Sequence, residues 1–249
     1  KNCPYGYNKN KNMKVAICLI IKNENEYLEE WLNHHRNLGF DHFIIYDNQS
    51  TPSVTEYFLN KNLTHLDTTV IYWKDNAHAS QLRAYKNCCE NYKEFDYILF
   101  IDTDEFLYLK DHATIKEFIN SKEKFDGLGI YWRMYGGNYT NNKIPEKEYT
   151  KYYTNKHIKS LINPKKLINF PDPHKAVLQN DSIYIDELGN KITSPLGNHT
   201  SDNIWIKHIW TRSLSEWNEK LKRGSGDKVV RKYTEEDFIN HNNECILND

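Results

Sequence analysis

The chain has 249 residues, 39% of them hydrophobic and 27% charged, enough to bury one full core with at most a small added lobe. Its 33 Lys and Arg against 34 Asp and Glu give a net charge of −1, without the basic excess of a dedicated nucleic-acid binder. Mean hydropathy is −0.82, no run approaches the ~18 apolar residues of a membrane helix, and the cysteines are too few and too irregular for a disulfide scaffold.

Residues 1–13 are polar, lack the apolar segment of a secretion signal, and read as a flexible arm ahead of one domain over 14–249. Residues 15–21 (VAICLII) form an apolar run too short for a core helix, as expected of a strand buried on both faces. Tyr27, Leu28, Trp31, Leu32 and His35 then recur at helical spacing, and Gly39 ends that helix. HFIIY at 42–46 is a second strand, followed by a short helix at 54–59 and a third strand at 69–73. A helix at 80–92 leads to a fourth strand, YILFI, at 97–101. This alternation predicts an α/β domain with a mainly parallel sheet. Beyond Leu109 the pattern changes. A helix at 114–121 and a strand at 128–133 precede a long aperiodic stretch, 134–157, expected to be a loop or lid. Short strands are expected at 166–168, 176–178 and 183–185, and a further one at 204–209. Ser213 and Glu216 form a capping-box pattern opening a helix over 213–222 that Gly224 ends, and a last helix spans 234–243.

In an open α/β sheet, ligands bind beyond the carboxyl ends of the strands. Three such ends carry Lys22-Asn23-Glu24, Asp47-Asn48 and Asp102-Thr103-Asp104. The last follows YILFI directly, so its first Asp emerges as a buried strand ends. Two carboxylates one residue apart there can share a hard divalent cation, Mn²⁺ or Mg²⁺, which bridges well to a diphosphate. The alternative is a solvated acidic turn. Aromatic residues make up 14% of the chain, which suits sugar stacking as well as ordinary core packing. No Walker-type loop, G-x-G-x-x-G or G-x-S-x-G is present. Cys88 and Cys89 are adjacent, and Cys3, Cys18 and Cys245 have no metal-ligand spacing.

Several blocks together resemble glycosyltransferase family 92, within the GT-A family 2-like group. They are IIKNENEYLEEWLNHHRNLGFDHFIIYDNQS, QLRAYKNCCENY, DYILFIDTDEFLYL, IYWRMYGGN, KSLINP with the later His174, and IKHIWTRSLSEWNEKLKRG. The resemblance implies a GT-A, Rossmann-like fold: a mainly parallel sheet with helices on both faces, then an irregular β-rich C-terminal half. Residues 14–110 would be the nucleotide-binding half and 111–249 the acceptor-binding half. Pro52, Trp210 and Arg212 depart from the family pattern, where Asp, Tyr and Lys are usual.

The implied reaction moves a sugar, galactose or glucose, from a UDP-sugar to a glycan or other hydroxyl acceptor, with inversion. Asp102 and Asp104 would hold Mn²⁺ or Mg²⁺, with His208 as a third ligand. Asp47 and Asn48, with Lys22, Asn23 and Glu24, would line the nucleotide pocket, and Gln81, Arg83 and Thr103 would face the same edge. Lys220 and Arg223 would neutralise the leaving phosphates, while Trp132, Gly136, Lys159, His174 and Trp210 would meet substrate. Inversion needs a general base; Asp172 leads, with Glu105 and Glu216 as alternates. Two other readings are a non-catalytic carbohydrate-binding or pseudoenzyme domain and a sugar nucleotidyltransferase, whose Gly-rich N-terminal loop is missing. The expected setting is the cytoplasm, or a soluble module of a larger protein.

Overall fold

The computed structural model describes residues 13–63, 67–197, 202–223 and 233–249. Most of the expected arm, Gly224 and the side chain of Arg223 lie outside the described residues. The first half alternates as expected: β1 (Val15–Ile21), α1 (Leu28–Asn37), β2 (His42–Asp47), α2 (Val54–Lys61), β3 (Thr68–Tyr72), α3 (Ser80–Asn91) and β4 (Tyr97–Phe100). The remainder holds β5 (Glu105–Leu109), α4 (Ile115–Ser121), β6 (Gly127–Tyr135), β7 (Lys151–Ile162), β8 (Leu167–Asn169), β9 (Val177–Leu178) and β10 (Tyr184–Ile185). It ends with β11 (Ile204–His208), α5 (Leu214–Arg223), α6 (Glu235–Glu244) and β12 (Leu247–Asn248).

One sheet runs β3-β2-β1-β4-β7-β6-β11-β5, with β10 beside β6 and β12 beside β7. Strands β3, β2, β1 and β4 are mutually parallel, the expected nucleus. Strand β7 runs antiparallel to β4 and β6, β11 parallel to β6, and β5 antiparallel to β11. The period-two alternation of strand side chains feeds two cores. Val15, Ile17 and Leu19 of β1, with Phe43 and Ile45 of β2, pack with Leu28, Trp31, Leu32, Val54, Phe58 and Phe118 from α1, α2 and α4. Ala16 and Cys18, with Ile44 and Tyr46, pack on the other face against Ala84, Tyr85 and Cys88 of α3. Helices therefore cover both faces of the nucleus. Each fully buried Leu, Ile or Phe stabilises this by ~1.5–3 kcal/mol relative to exposure.

Reciprocal capping boxes open α2 (Ser53, Glu56), α4 (Thr114, Glu117) and α6 (Thr234, Asp237). The expected Ser213–Glu216 pair is formed as well: the Ser213 amide donates to Glu216 at 3.0 Å and the Glu216 amide to Ser213 Oγ at 3.4 Å.

The expected loop over 134–157 is corrected. Strand β6 continues to Tyr135, and Lys151–Ile162 is the longest strand. Its inner residues, Ile158, Leu161 and Ile162, are buried between β4 and β6, while its outer half, KYYTNKH, is polar enough to pass for a loop. Strand β5 was also not expected, because it begins one residue after Asp104 with Glu105.

Helix α1 is bolted to β5. The His35 Nδ1–H donates to the Trp31 carbonyl (2.8 Å), and its Nε2 accepts the Leu107 amide (3.2 Å). That pair of bonds requires a neutral ring, and burial, with His34 adding to it, lowers the His35 pKa well below its ordinary value. An unfolded His titrates near ~6.5, so the unfolded chain takes up this proton first as pH falls. The stabilisation is full above that value and is lost progressively below it. In circular-dichroism melts at about pH 7.5 and about pH 5.5, wild type should lose more stability on acidification than His35→Phe does.

Candidate active site

The carboxyl ends of β1 and β4 and the segment after β11 meet at one edge, as the topology requires. The acidic turn after β4 is held by backbone and side-chain bonds from several directions. Trp31 Nε1 donates to the carbonyls of Asp102 (3.1 Å) and Glu105 (2.9 Å). Thr103 Oγ1 donates to Glu24 at 2.6 Å, tying the turn to the end of β1. The Thr103 carbonyl accepts from Arg212 at 3.0 Å, and the Asp104 carbonyl accepts the Ile209 amide at 2.9 Å.

Asp102 turns toward β7 and α3, its side chain still 35% exposed. Its Oδ2 accepts from Lys159 Nζ (2.8 Å) and its Oδ1 from Gln81 Nε2 (2.8 Å). Lys159 is 1% exposed and also lies 3.1 Å from Glu105, which is fully buried. Burial would lower the Lys159 pKa, but Asp102 and Glu105 outweigh it and keep the ammonium charged. Burial pushes the Glu105 carboxyl up, against the pull of Lys159. Glu105 Oε2 also accepts the Asp102 amide at 2.8 Å, whereas Oε1 has no hydrogen-bond partner.

Asp104 faces a cleft of about 430 Å³ lined by Asn23, Glu24, Tyr27, Trp210, Arg212 and Lys220, among others. Its carboxylate lies 3.6 Å from His208 Nε2 and 3.7 Å from Lys220 Nζ. Burial alone would raise the Asp104 pKa; His208, Lys220 and Arg212 reverse this and hold it well below the usual carboxylate range. Arg212 adopts a left-handed backbone (φ 53°) and lays its guanidinium 3.3 Å from the centre of the Tyr27 ring.

This donor set suits a divalent cation. An oxygen and an imidazole nitrogen 3.6 Å apart are too far for a good hydrogen bond, yet both could ligate one ion at the ~2.1 Å distances Mg²⁺ and similar metals prefer. Among the described residues no three His, Cys, Asp or Glu side chains form a ready cation cage. Asp102 differs from expectation here, because Lys159 and Gln81 already engage its oxygens.

Behind His208 lies a cluster of rings. Trp132 meets His208 (4.4 Å between centroids), His174 (4.9 Å) and His157 (5.1 Å, stacked). Burial, then Lys159 and His157, lowers His174 to about 4, so it is neutral at pH 7. Asp172 Oδ1 accepts the amides of His174 (2.8 Å) and Lys175 (2.9 Å), holding the FPDPH turn beside these rings.

Other expected site residues serve the backbone. Asp47 is 2% exposed, and its two oxygens accept the amides of Ser50 (2.8 Å) and Val54 (2.9 Å), fixing the turn into α2. Asn23 Oδ1 accepts the Thr51 amide, Asn48 Oδ1 accepts from Gln49, and Lys22 is exposed at the end of β1. Arg83 is paired with Asp75 at 2.6 Å, on the loop before α3. Lys220 donates to the Trp210 carbonyl (2.9 Å), and the Trp210 ring packs on Trp217 and His241. A side chain at Gly136 would press on Cys245 and Asn242 of the C-terminal segment. Glu216 lines the cleft while capping α5. Sequence reasoning gave no role to Arg212, Tyr27, Trp31 or His35; the DTD turn alone does not show which distant side chains hold it.

The profile of glycosyltransferase family 92 matches residues 11–237. The chain belongs to this family. A family 92 protein of Oryza sativa subsp. japonica is 24% identical over 184 residues, covering 71% of this chain and 29% of the relative. One of Arabidopsis thaliana is 22% identical over 243 residues, covering 87% and 41%. The chain thus spans less than half the length of these family 92 relatives. Among solved structures, HddC from Yersinia pseudotuberculosis complexed with GMP-PN matches with a TM-score of 0.44 and 14% identity, covering 93% of this chain and 99% of that one. A mannosyltransferase from Pyrobaculum calidifontis in complex with GDP-Man and Mn²⁺ matches with a TM-score of 0.37 and 14% identity, covering 53% and 39%. Among the described residues no helix is long and apolar enough to cross a membrane.

Removing Lys159 should expose how much the acidic turn depends on it. Lys159→Met leaves the fully buried Glu105 and the part-exposed Asp102 without their cation, and loss of a buried charge partner costs ~3–5 kcal/mol. Urea unfolding should show a drop of that order, partly restored in Lys159→Met/Glu105→Leu.

Proposed function

We propose that this family 92 chain is a glycosyltransferase that moves a hexosyl group, galactose or glucose, from a UDP-sugar to a hydroxyl of a glycan or glycosylated acceptor. The observation that carries the reading is the ionised Asp104 carboxylate beside His208, Lys220 and Arg212 in the cleft at the end of the parallel nucleus. Asp104 and His208 would hold a divalent cation, Mn²⁺ or Mg²⁺, which when bound stabilises negative charge on the leaving diphosphate.

The remaining roles belong to the chain's own side chains. Lys220 and Arg212 present cationic groups to the phosphates at the cleft wall, and Arg223 is a further proposed phosphate contact. Thr103, through Glu24, keeps the acidic turn against the end of β1, where Lys22, Asn23 and Asn48 border the nucleoside side. Asp47 shapes that side through the 47–54 turn, and Gln81 fixes the direction of Asp102. The acceptor would enter on the side of Trp132, His174 and Trp210. Asp172 is the proposed general base for inversion: its protein hydrogen bonds run through Oδ1, and neutral His174 stands beside it. A cytoplasmic pool of nucleotide sugar would supply the donor.

The test is a donor-turnover screen with UDP-, GDP- and other nucleotide sugars in Mn²⁺, comparing wild type with Asp104→Ala. Wild type should turn over a UDP-hexose, and the variant should fall about 100-fold, equivalent to ~2.7 kcal/mol. UDP with Mn²⁺ should raise the wild-type Tm more than GDP does. Equal turnover in both proteins would remove Asp104 from the reaction. Glycan binding without any donor turnover would move the chain to the carbohydrate-binding class.

A further inference from the structure

Two polar atoms in the interior face each other without a partner. Glu105 Oε1 and His208 Nδ1 are both buried, both lack a hydrogen bond, and lie 3.9 Å apart. Glu105 is fully buried and His208 is 7% exposed, so water does not readily serve either. An unmade hydrogen bond at such groups is unfavourable, and a shift of about 1 Å brings this pair to hydrogen-bond distance. The other carboxylate oxygen is already committed, since Oε2 takes the Asp102 amide (2.8 Å) and Lys159 (3.1 Å). The other imidazole nitrogen, Nε2, faces Asp104 across 3.6 Å.

We propose that Glu105 is a positioning residue that accepts the Nδ1–H of His208, fixing the tautomer whose Nε2 lone pair faces the gap beside Asp104. The cation-binding part rests on the proposed function; the tautomer does not. Glu105 cannot instead meet an acceptor hydroxyl, because its carboxyl is closed off from the cleft. A carboxylate behind a ligating histidine sets ring orientation and raises the basicity of the ligand nitrogen. Here the same carboxylate is anchored through Lys159 to Asp102, so the three acids of the turn act on one ring in a defined order. Asp102 and Lys159 hold Glu105, Glu105 turns His208, and His208 stands behind Asp104, which faces the cleft.

Glu105→Gln tests this sharply. Lys159 Nζ and the Asp102 amide are both donors, so they retain the amide oxygen of Gln. The amide NH₂ then faces His208 Nδ1, which must accept, and the proton moves to Nε2. In ¹⁵N-labelled protein, read across a pH series at its neutral-ring end, the His208 ring should be the Nδ1–H tautomer in wild type and the Nε2–H tautomer in Glu105→Gln. Mn²⁺ titration followed by electron paramagnetic resonance, without any sugar donor, should show about tenfold weaker binding in the variant. An Nε2–H tautomer in the wild-type protein overturns the inference, and this reading needs no folded variant. Unchanged tautomer and unchanged Mn²⁺ affinity in a folded Glu105→Gln overturn it equally. Wild type that binds no Mn²⁺ would defeat the cation reading of the proposed function, while the wild-type tautomer would still decide the role of Glu105.

Discussion

Lys159 Nζ sits 2.8 Å from Asp102 and 3.1 Å from Glu105, on a strand threaded between β4 and β6. That ammonium pulls against the burial that pushes the Glu105 carboxyl up. With it, a short turn can carry three acids and assign them different directions. Asp102 and Glu105 turn inward to the cation, and Asp104 is left for the cleft. The arrangement is a poor source of net stability, because desolvating three charges offsets most of their attraction. It is a strong source of register. A one-residue slip of β7 would send Lys159 to the opposite face of the sheet and place Ile158 or Ser160 against the acids.

Much of the architecture was legible in the sequence because the nucleus is buried on both faces. VAICLII, HFIIY and YILFI are almost wholly apolar or aromatic, His42 apart, and each stops at the residues that line the site edge. The strands that failed to show themselves are those with mixed surroundings. Strand β7 has one dry end and one wet end, so its composition averages to that of a loop. Strand β5 opens with a charged residue whose burial is explained only by a lysine fifty-four positions later. Lys159 itself carried a signal, a lone cation inside the apolar run around KSLI. Such a residue has to find a carboxylate.

The site shows a similar division. Asp104 and His208 were named through the family resemblance, and their side chains lie 3.6 Å apart. Asp47 and Asn23 were read as nucleotide contacts, and the structure has them hydrogen-bonding backbone amides at the strand ends. Carboxylates and amides at the ends of parallel strands have two possible customers, a ligand and the turn itself, and composition does not separate them. Arg212 was noticed only as a departure from the family pattern. Its value comes from a left-handed backbone that swings the guanidinium onto Tyr27 and the Thr103 carbonyl, which no spacing rule anticipates.

Strand β5 pairs with β11, a partner about a hundred residues later, and β11 separates it from β6. Until residues 204–208 are available, β5 has no sheet partner, and the turn before it lacks its bond to Ile209 and its neighbour His208. Loop closure on that scale is entropically slow. The parallel nucleus can therefore form early, whereas the cleft must be a late event, completed when His208 arrives beside Asp104. Truncations or slow synthesis ahead of β11 would leave an apolar strand, FLYL, unpaired beside the open edge of β6, and unpaired strands and open edges recruit other chains. The segment that carries the acids of the site is thus also the one whose strand waits longest for its partner.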